Sequence, residues 1–550
     1  MANKTLFAST RGPQLAPVDT LNRAGAGAYE YFPKHKLAQY AATGCLSNTF
    51  YASADEQLET VLKLARELEP EFVAKAAIYA RRKVHMKDVP ALLLAVLSTR
   101  SPETLKKAFP QVIDNGRMLR NFVQIMRSGV VGRKSLGSVP KALVRQWLDT
   151  AADRALIDAT VGTSPSLKDV VRMVHPKPID ASRGAFYGWL LGKPHLFERL
   201  PRTLQELKLF ELDRSREIPD VPFQMLTALK LNAREWAQVA LCGGWHMLRM
   251  NLNTFARQGV FVQPGVVDAI AEKLASPEAI RRARVLPYQL LIAHRSLDRE
   301  VPQDIRQALE KAMEIALENV PSFAGRVVVC PDVSGSMSSS ITGFRKSATS
   351  AVRCIDVAAL IAAAIMKANR GTEVLPFAEN VRSVSLSPRD SVMTNANLLA
   401  SLGGGGTHCS APLDWLLRSG ARADLVILVS DNQSWIDARR HGASETLRLW
   451  SLFRQRNPKA KLVCIDLQPH GTTQAAEGTD VLNVGGFSDE VFEIVRLFAR
   501  DELSAHHWVG QIEAVKVSQQ ERGWRPGGAN ARWNYSQRRG RGFDSRRLRG

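Results

Sequence analysis

The 550-residue chain has little cysteine and sets none of it out for metal binding or cross-linking. Its six cysteines, Cys45, Cys242, Cys330, Cys354, Cys409 and Cys464, are scattered without a C-x-x-C pair. That spacing argues against a zinc site or a disulfide framework and for thiols in a reducing compartment. Long apolar runs are missing as well. The longest, Val357 to Met366, has ten residues, well short of the roughly 20 a membrane helix needs, and predicts a buried helix instead. The first residues, MANKTLFASTRGPQ, lack the apolar centre of a secretion signal. A soluble, cytoplasmic protein with no membrane partner is therefore expected. Two catalytic signatures are also missing, the G-x-S-x-G elbow and the G-x-x-x-x-G-K-[ST] phosphate loop. An apolar fraction of 45% excludes wholesale disorder, and the length implies two or three domains.

Acidic residues are scarce where basic ones are plentiful. Residues 1–320 hold 45 Lys+Arg against 32 Asp+Glu, residues 321–520 hold 20 against 19, and residues 521–550 hold 9 against 2. The net charge of +21 thus sits in the first part and the tail. A surplus of that kind favours polyanions by releasing their counterions, which points to nucleic acid.

Residues from about 20 to 320 carry helical periodicity. Val61, Leu64, Ala65 and Leu68 follow i, i+3, i+4, i+7, and Val73, Ala76, Ala77 and Ala80 repeat it. Pro90 opens ALLLAVLS, apolar on every side and so expected to be buried all round. Ser101-Pro102-Glu103, Ser276-Pro277-Glu278 and Val301-Pro302 mark helix starts. Successive helix pairs suggest a solenoid, whose long surfaces suit an extended ligand. From Arg326 the texture changes to short apolar runs, VVVC (327–330), EVLPF (373–377), LVILV (425–429) and KLVCIDL (461–467), alternating with helices. This is the rhythm of a parallel, doubly wound α/β sheet. The last thirty residues are an Arg/Gly tail with Trp524, Trp533, Tyr535 and Phe543 interspersed, a composition that suits single-stranded RNA through phosphate pairing and base stacking.

One constellation stands at the sheet. Asp332, Ser334 and Ser336 follow VVVC at i, i+2 and i+4, Thr407 follows the run Gly403 to Gly406, and Asp431 follows LVILVS. Both aspartates fall just beyond strand carboxyl ends, where open α/β sheets place ligands. All five are hard oxygen donors suited to a divalent metal, Mg²⁺ rather than zinc or copper. The set resembles the metal-ion-dependent adhesion site (MIDAS) of von Willebrand factor A domains. His408 is the one histidine near it in sequence, with no orienting acid beside it, so binding rather than catalysis is expected.

Two cationic stretches stand out in the helical part. Lys168, Arg172 and His175, at i, i+4 and i+7, would share one helix face and could meet phosphates and a base edge. Arg117, Arg120, Arg127, Arg133, Lys134, Lys141 and Arg145 place seven cations in 29 residues with no acid among them.

These elements, in this order, resemble the Ro/SS-A ribonucleoprotein family, whose helical part is called the TROVE domain. The likeness rests on Gly44 to Tyr51 (GCLSNTFY), similar to the family's G-S-E-G-G-T-Y-Y, on Leu167 to Pro178 (LKDVVRMVHPKP), similar to K-D-L-L-R-x-x-H-x-K-P, and on Arg284 to Arg295 (RVLPYQLLIAHR). The sequence departs from the family at LRMNLNTF, around Arg249 and Asn251, and in its Arg/Gly tail. The resemblance implies an N-terminal extension (1–19), a HEAT-like helical-repeat ring (20–320), a Rossmann-like von Willebrand A domain (321–512) and a basic tail (513–550). It implies a monomeric ring that is not an enzyme. Y-type small RNAs would bind outside, at Lys168, Arg172 and His175, and single-stranded ends of misfolded or decaying RNA would enter the cavity. Such a subunit would serve RNA quality control, with an exoribonuclease as a further partner. The other reading is a metal-dependent protein-binding adaptor acting through the A domain.

Overall fold

The computed structural model describes residues 15–44, 46–283, 285, 287–318, 320–341, 352–434, 443–503 and 507–517. Cys45, Arg284, most of the N-terminal extension and nearly all of the Arg/Gly tail, with its four aromatics, lie outside the described residues. The chain is largely helical up to Ala316 and mixed α/β after it. No described helix is long and apolar enough to cross a membrane.

Two compact units divide the chain. One gathers the described residues of Met1–Leu68, Leu286–Ile292 and Met313–Val515. Its centre is a parallel sheet, β3 (Val327–Pro331), β4 (Glu373–Val374), β5 (Leu425–Ser430), β6 (Lys461–Asp466) and β8 (Val481–Gly485), in the order β4-β3-β5-β6-β8. Every residue of β3, β5 and β8 is buried, which explains why these strands are continuous apolar runs rather than alternating ones. The expected strand EVLPF is regular only over Glu373–Val374, although Leu375 N and Phe377 N still donate to the Val329 and Pro331 carbonyls at 2.9 and 3.1 Å, and Pro376 is tolerated because β4 is an edge strand. The ten-residue apolar run Val357–Met366 lies inside a buried helix, Cys354–Ala368. Cys330 and Cys464 are buried thiols in β3 and β6, and burial pushes that of Cys464 up to about 12.

A second, small antiparallel sheet changes the expected partition of the chain. It joins β1 (Thr20–Leu21), β2 (Gly27–Glu30) and β7 (Thr472–Thr473), with Tyr29 opposite Thr473. Tyr29 is buried in the same apolar cluster as Val328, Val426 and Trp450. Helices α1 (Pro33–Thr43) and α2 (Ala54–Glu67) follow, α2 closed by a reciprocal Ser53–Glu56 capping box. Residues 15–68 therefore belong with the sheet, whereas the helical periodicity had put everything from 20 onward in one helical part. Polar contacts hold them there. Arg23 N donates to Gln433 Oε1 at 2.8 Å, and Gln39 Nε2 donates to the Gln468 carbonyl at 3.2 Å.

The other unit, Glu69–Val285 with Ala293–Ala312, is all helix. Its first helices are α3 (Pro70–Arg82), α4 (Asp88–Arg100), α5 (Pro102–Val112), α6 (Gly116–Ser128), α7 (Ser138–Thr150), α8 (Asp153–Ala159), α9 (Leu167–Val174) and α10 (Ala181–Leu191). In α4 every residue from Val89 to Ser98 is buried, as its uniform apolarity requires. Ser101 caps α5 through the N–H of Thr104, with Pro102 at its first position. Helix α6 buries Met118, Leu119, Phe122, Val123 and Met126 and turns Arg117 and Arg127 outward.

Candidate functional site

Three neighbouring strands end in the same way. Asp332 Oδ1 accepts from Ser334 N at 2.8 Å after β3, and Asp431 Oδ1 accepts from Gln433 N at 3.2 Å after β5. Asp466 Oδ1 accepts from Gln468 N at 3.1 Å after β6. Each carboxylate thus folds the chain back over its own strand end and keeps its second oxygen for other use. The chain reverses its lateral direction between β3 and β5, so Asp332 and Asp431 emerge at the topological switch point.

The sequence-predicted donors meet here. Ser334 Oγ lies 3.3 Å from Ser336 Oγ, and both are buried. The glycine loop is laid against them by Gly335 N donating to the Gly405 carbonyl and Gly404 N to the Val333 carbonyl, each at 2.9 Å. Gly404 and Gly405 hold φ of +126° and +87°, conformations a side chain would disfavour. Arg382 Nη2 fixes the loop further through the Gly404 carbonyl at 2.6 Å. Thr407 follows, buried, its carbonyl accepting from Ser434 Oγ at 3.2 Å. His408 Nδ1 bonds the Glu379 carbonyl at 3.1 Å. The serines are therefore placed as oxygen donors, and among the described residues no histidine is hydrogen-bonded to either of them.

The two aspartates are deeply buried and close to each other. Asp332 is fully buried, and burial followed by the nearby Asp431 pushes its carboxyl up to about 7. Burial raises Asp431 as well. Asp431 Oδ2 is buried with no hydrogen-bond partner at normal distance. Two buried carboxylates, one of them with an unbonded oxygen, beside three hydroxyls fit a hard divalent ion that keeps water ligands. Among the described residues, no group of three or more His, Cys, Asp or Glu could hold a metal, so the hydroxyls would be essential to any ion bound here.

Two participants were not legible in the sequence. Tyr51, from the GCLSNTFY segment, stands near Ser336, and burial together with Asp431 pushes its hydroxyl up to about 12. Its ring packs edge-on to His470 at 5.9 Å. Asp466 is the third buried carboxylate, raised by burial and by Asp431. Its position in KLVCIDL hid it in an apolar run.

In the helical unit, α9 carries the expected cations on a helix begun by a Ser166–Asp169 capping box. Lys168 is half-buried and Arg172 exposed. The helix ends at Val174, and His175 caps it with φ 49°, ψ 63°. His175 is thus exposed but set by a left-handed turn, not by the helical period that placed it with Lys168 and Arg172. The seven-cation stretch spans α6 and α7, the two helices that pack against α9. Arg127 of α6 acts on Asp169, and Arg145 of α7 donates to the Val174 carbonyl at 2.5 Å. Arg133 Nη2 is spent on Ser98 Oγ at 2.9 Å. The half-buried Arg120 guanidinium lies so close to Gly162 that a Cβ there would overlap it. Arg117, Arg127 and Lys134 are exposed, and Lys141 is half-buried. None of these nine cations has an ion-pair partner among the described residues.

A helical unit and a doubly wound sheet are the two parts expected of a TROVE domain joined to a von Willebrand factor A domain. The comparisons agree. The profile of the Ro60 vWA domain matches residues 326–499, and that of the TROVE domain matches residues 244–314. The chain is thus similar to Ro60-type proteins in both its helical and its sheet part. It is 24% identical over 521 residues to the "RNA-binding protein RO60" of Deinococcus radiodurans, covering 88% of this chain and 95% of that one. It is also 24% identical over 250 residues to the Caenorhabditis elegans "RNA-binding protein RO60", 43% of this chain and 37% of the relative. The crystal structure of the Deinococcus radiodurans RO (RSR) protein shares the fold, with a TM-score of 0.58 at 21% identity, over 86% of this chain and all of that one.

Proposed function

We propose that this chain is the protein subunit of a small ribonucleoprotein, holding RNA on the cationic helices and carrying no chemistry of its own. The observation that carries the reading is the set of nine cations on α9 and the preceding 117–145 stretch that have no ion-pair partner among the described residues. An unpaired cationic face gains by meeting phosphates, since it releases the counterions that RNA would otherwise condense. The RNA-binding relatives support the same ligand. In this reading, structured small RNAs of the Y type lie on the outside, at Lys168, Arg172 and His175. Single-stranded ends of misfolded or decaying RNA enter the opening of the ring that the family resemblance implies, for presentation to an exoribonuclease.

The sheet unit serves as an accessory. Asp332, Ser334, Ser336, Thr407 and Asp431 would hold Mg²⁺, and the ion would neutralise the two buried carboxylates and offer an exchangeable position to an acidic group of a partner.

The test is RNA affinity of the full chain by filter binding with a structured small RNA. Lys168→Ala combined with His175→Ser is expected to cost roughly a hundredfold or more with the thermal melt unchanged. Unchanged affinity would overturn the assignment. If the protein recovered from its host carries no RNA but loses a protein partner in EDTA, the adaptor reading takes its place.

A further inference from the structure

Beyond α9, two loops lie side by side on one face of α10. Gly184 and Gly188 are one turn apart on that helix, about 6 Å along its axis. A Cβ on Gly184 would touch Pro178 Cβ at 3.7 Å, and one on Gly188 would press on His195 Cβ and the Pro194 carbonyl, each at 3.1 Å. Lys193 N also donates to the Gly188 carbonyl at 2.8 Å. The two glycines thus let the loop that follows His175 and the loop that follows α10 settle against the same helix face.

The surface these loops present is apolar, aromatic and cationic at once. Ile179 is 60% exposed, Leu196 59% and Phe197 37%, and His195 is exposed beside them. Lys177, Lys193 and Arg199 are exposed and have no ion-pair partner among the described residues. The acids nearby are mostly engaged. Asp169 Oδ2 accepts from Ser166 N and Oγ, and Asp180 Oδ1 accepts from Arg183 N, each as a helix cap. Glu198 is the remaining exposed acid.

We infer that this surface receives unpaired nucleotides of the bound RNA, with bases stacked on Phe197 and His195 and phosphates met by Lys177 and Lys193. Charge complementarity chooses the occupant. Three unpaired cations beside exposed rings suit a polyanion with flat apolar faces, and the patch continues from His175 at the end of α9. The inference rests on the RNA reading above and adds to it a preference for single-stranded segments at a second, stacking subsite.

The experiment compares two RNAs of equal length, a hairpin with an unpaired flank and a fully paired duplex, in salt-dependent binding to the full chain. Phe197→Ala is expected to weaken the hairpin about tenfold, leave the duplex unchanged and leave the salt slope unchanged, since a ring is lost and not a charge. Phe197→Trp should restore binding, and Phe197→Leu, which keeps the apolar packing, should not. Lys168→Ala with Arg172→Ala should weaken both RNAs and flatten the salt slope. Loss by the lysine–arginine variant with wild-type binding by Phe197→Ala would overturn the stacking subsite and leave the RNA reading standing. No binding of either RNA at low salt by the unmodified chain would overturn both. Loss of a copurifying protein in Phe197→Ala, with RNA affinity intact, would make the patch a protein surface and also sink the inference.

Discussion

Asp332 lies beside Ser430 at the carboxyl end of paired strands β3 and β5, and its Oδ2 accepts the Ser430 hydroxyl at 2.7 Å. That bond uses the one oxygen Asp332 has left, while Asp431 keeps a bare one. The pair is therefore asymmetric: Asp332 is held in place by protein donors, and Asp431 is left open to an ion.

Stability without metal should fall as pH rises. The folded Asp332 carboxyl titrates near 7, above its unfolded value of 3.8. Between those values the unfolded chain has released a proton that the folded chain retains, so deprotonation costs folding free energy. In EDTA, the unfolding free energy is expected to drop from pH 4 to pH 7 by on the order of a few kcal/mol, and the melting temperature with it. Asp332→Asn should flatten that dependence, and Mg²⁺ should raise the melting temperature more at pH 8 than at pH 5. A flat profile in EDTA would contradict the buried pair.

The sheet unit should not fold without its N-terminal residues. Tyr29 is 5% exposed within the core, and its hydroxyl donates to the Ala16 carbonyl at 2.8 Å and accepts from Ser444 N at 3.1 Å. Tyr29→Ala is expected to destabilise the unit by about 3–5 kcal/mol, read by denaturant unfolding. A fragment that starts at residue 313 should show no cooperative transition.

Arg145 should matter to RNA through α9 and not only through its charge. Its bond to the Val174 carbonyl pins the helix end from which His175 departs. Arg145→Lys keeps the charge but loses the directed guanidinium fork. It is expected to reduce affinity about fivefold with little change in the salt slope. A full wild-type affinity would assign Arg145 a bystander's place.

Labelled RNA incubated with the pure protein and Mg²⁺ should remain intact. The site serines bond each other or neighbouring oxygens, and His408 is turned to a carbonyl. Site-specific cleavage that disappears with Asp431→Ala would reverse the non-catalytic reading.

Much of this architecture was legible because buried parallel strands have no alternation to disguise them. VVVC, LVILV and KLVCIDL all became strands. VLNVG did not announce itself, since Asn483 sits in its middle. The structure tolerates that buried amide by pairing it with Thr473 Oγ1 at 2.7 Å and the Ala475 carbonyl at 3.0 Å. The five oxygen donors were visible from their spacing after strands. Tyr51 was not, because nothing local links residue 51 to a turn nearly three hundred positions later. His175 was placed by helical period, and the left-handed cap that ends α9 is a backbone event that the side-chain pattern does not encode.

The pairing of β2 with β7 has a consequence for how this chain is made. His35 waits for Glu477, 442 positions downstream, and at ribosomal speeds of about 5–20 residues per second that delay is roughly 20 to 90 s. During that interval Tyr29 and its neighbours have no apolar cover of their own. The earlier-translated side of this pairing thus waits longest for its cover, and nascent-chain chaperones should be found on it.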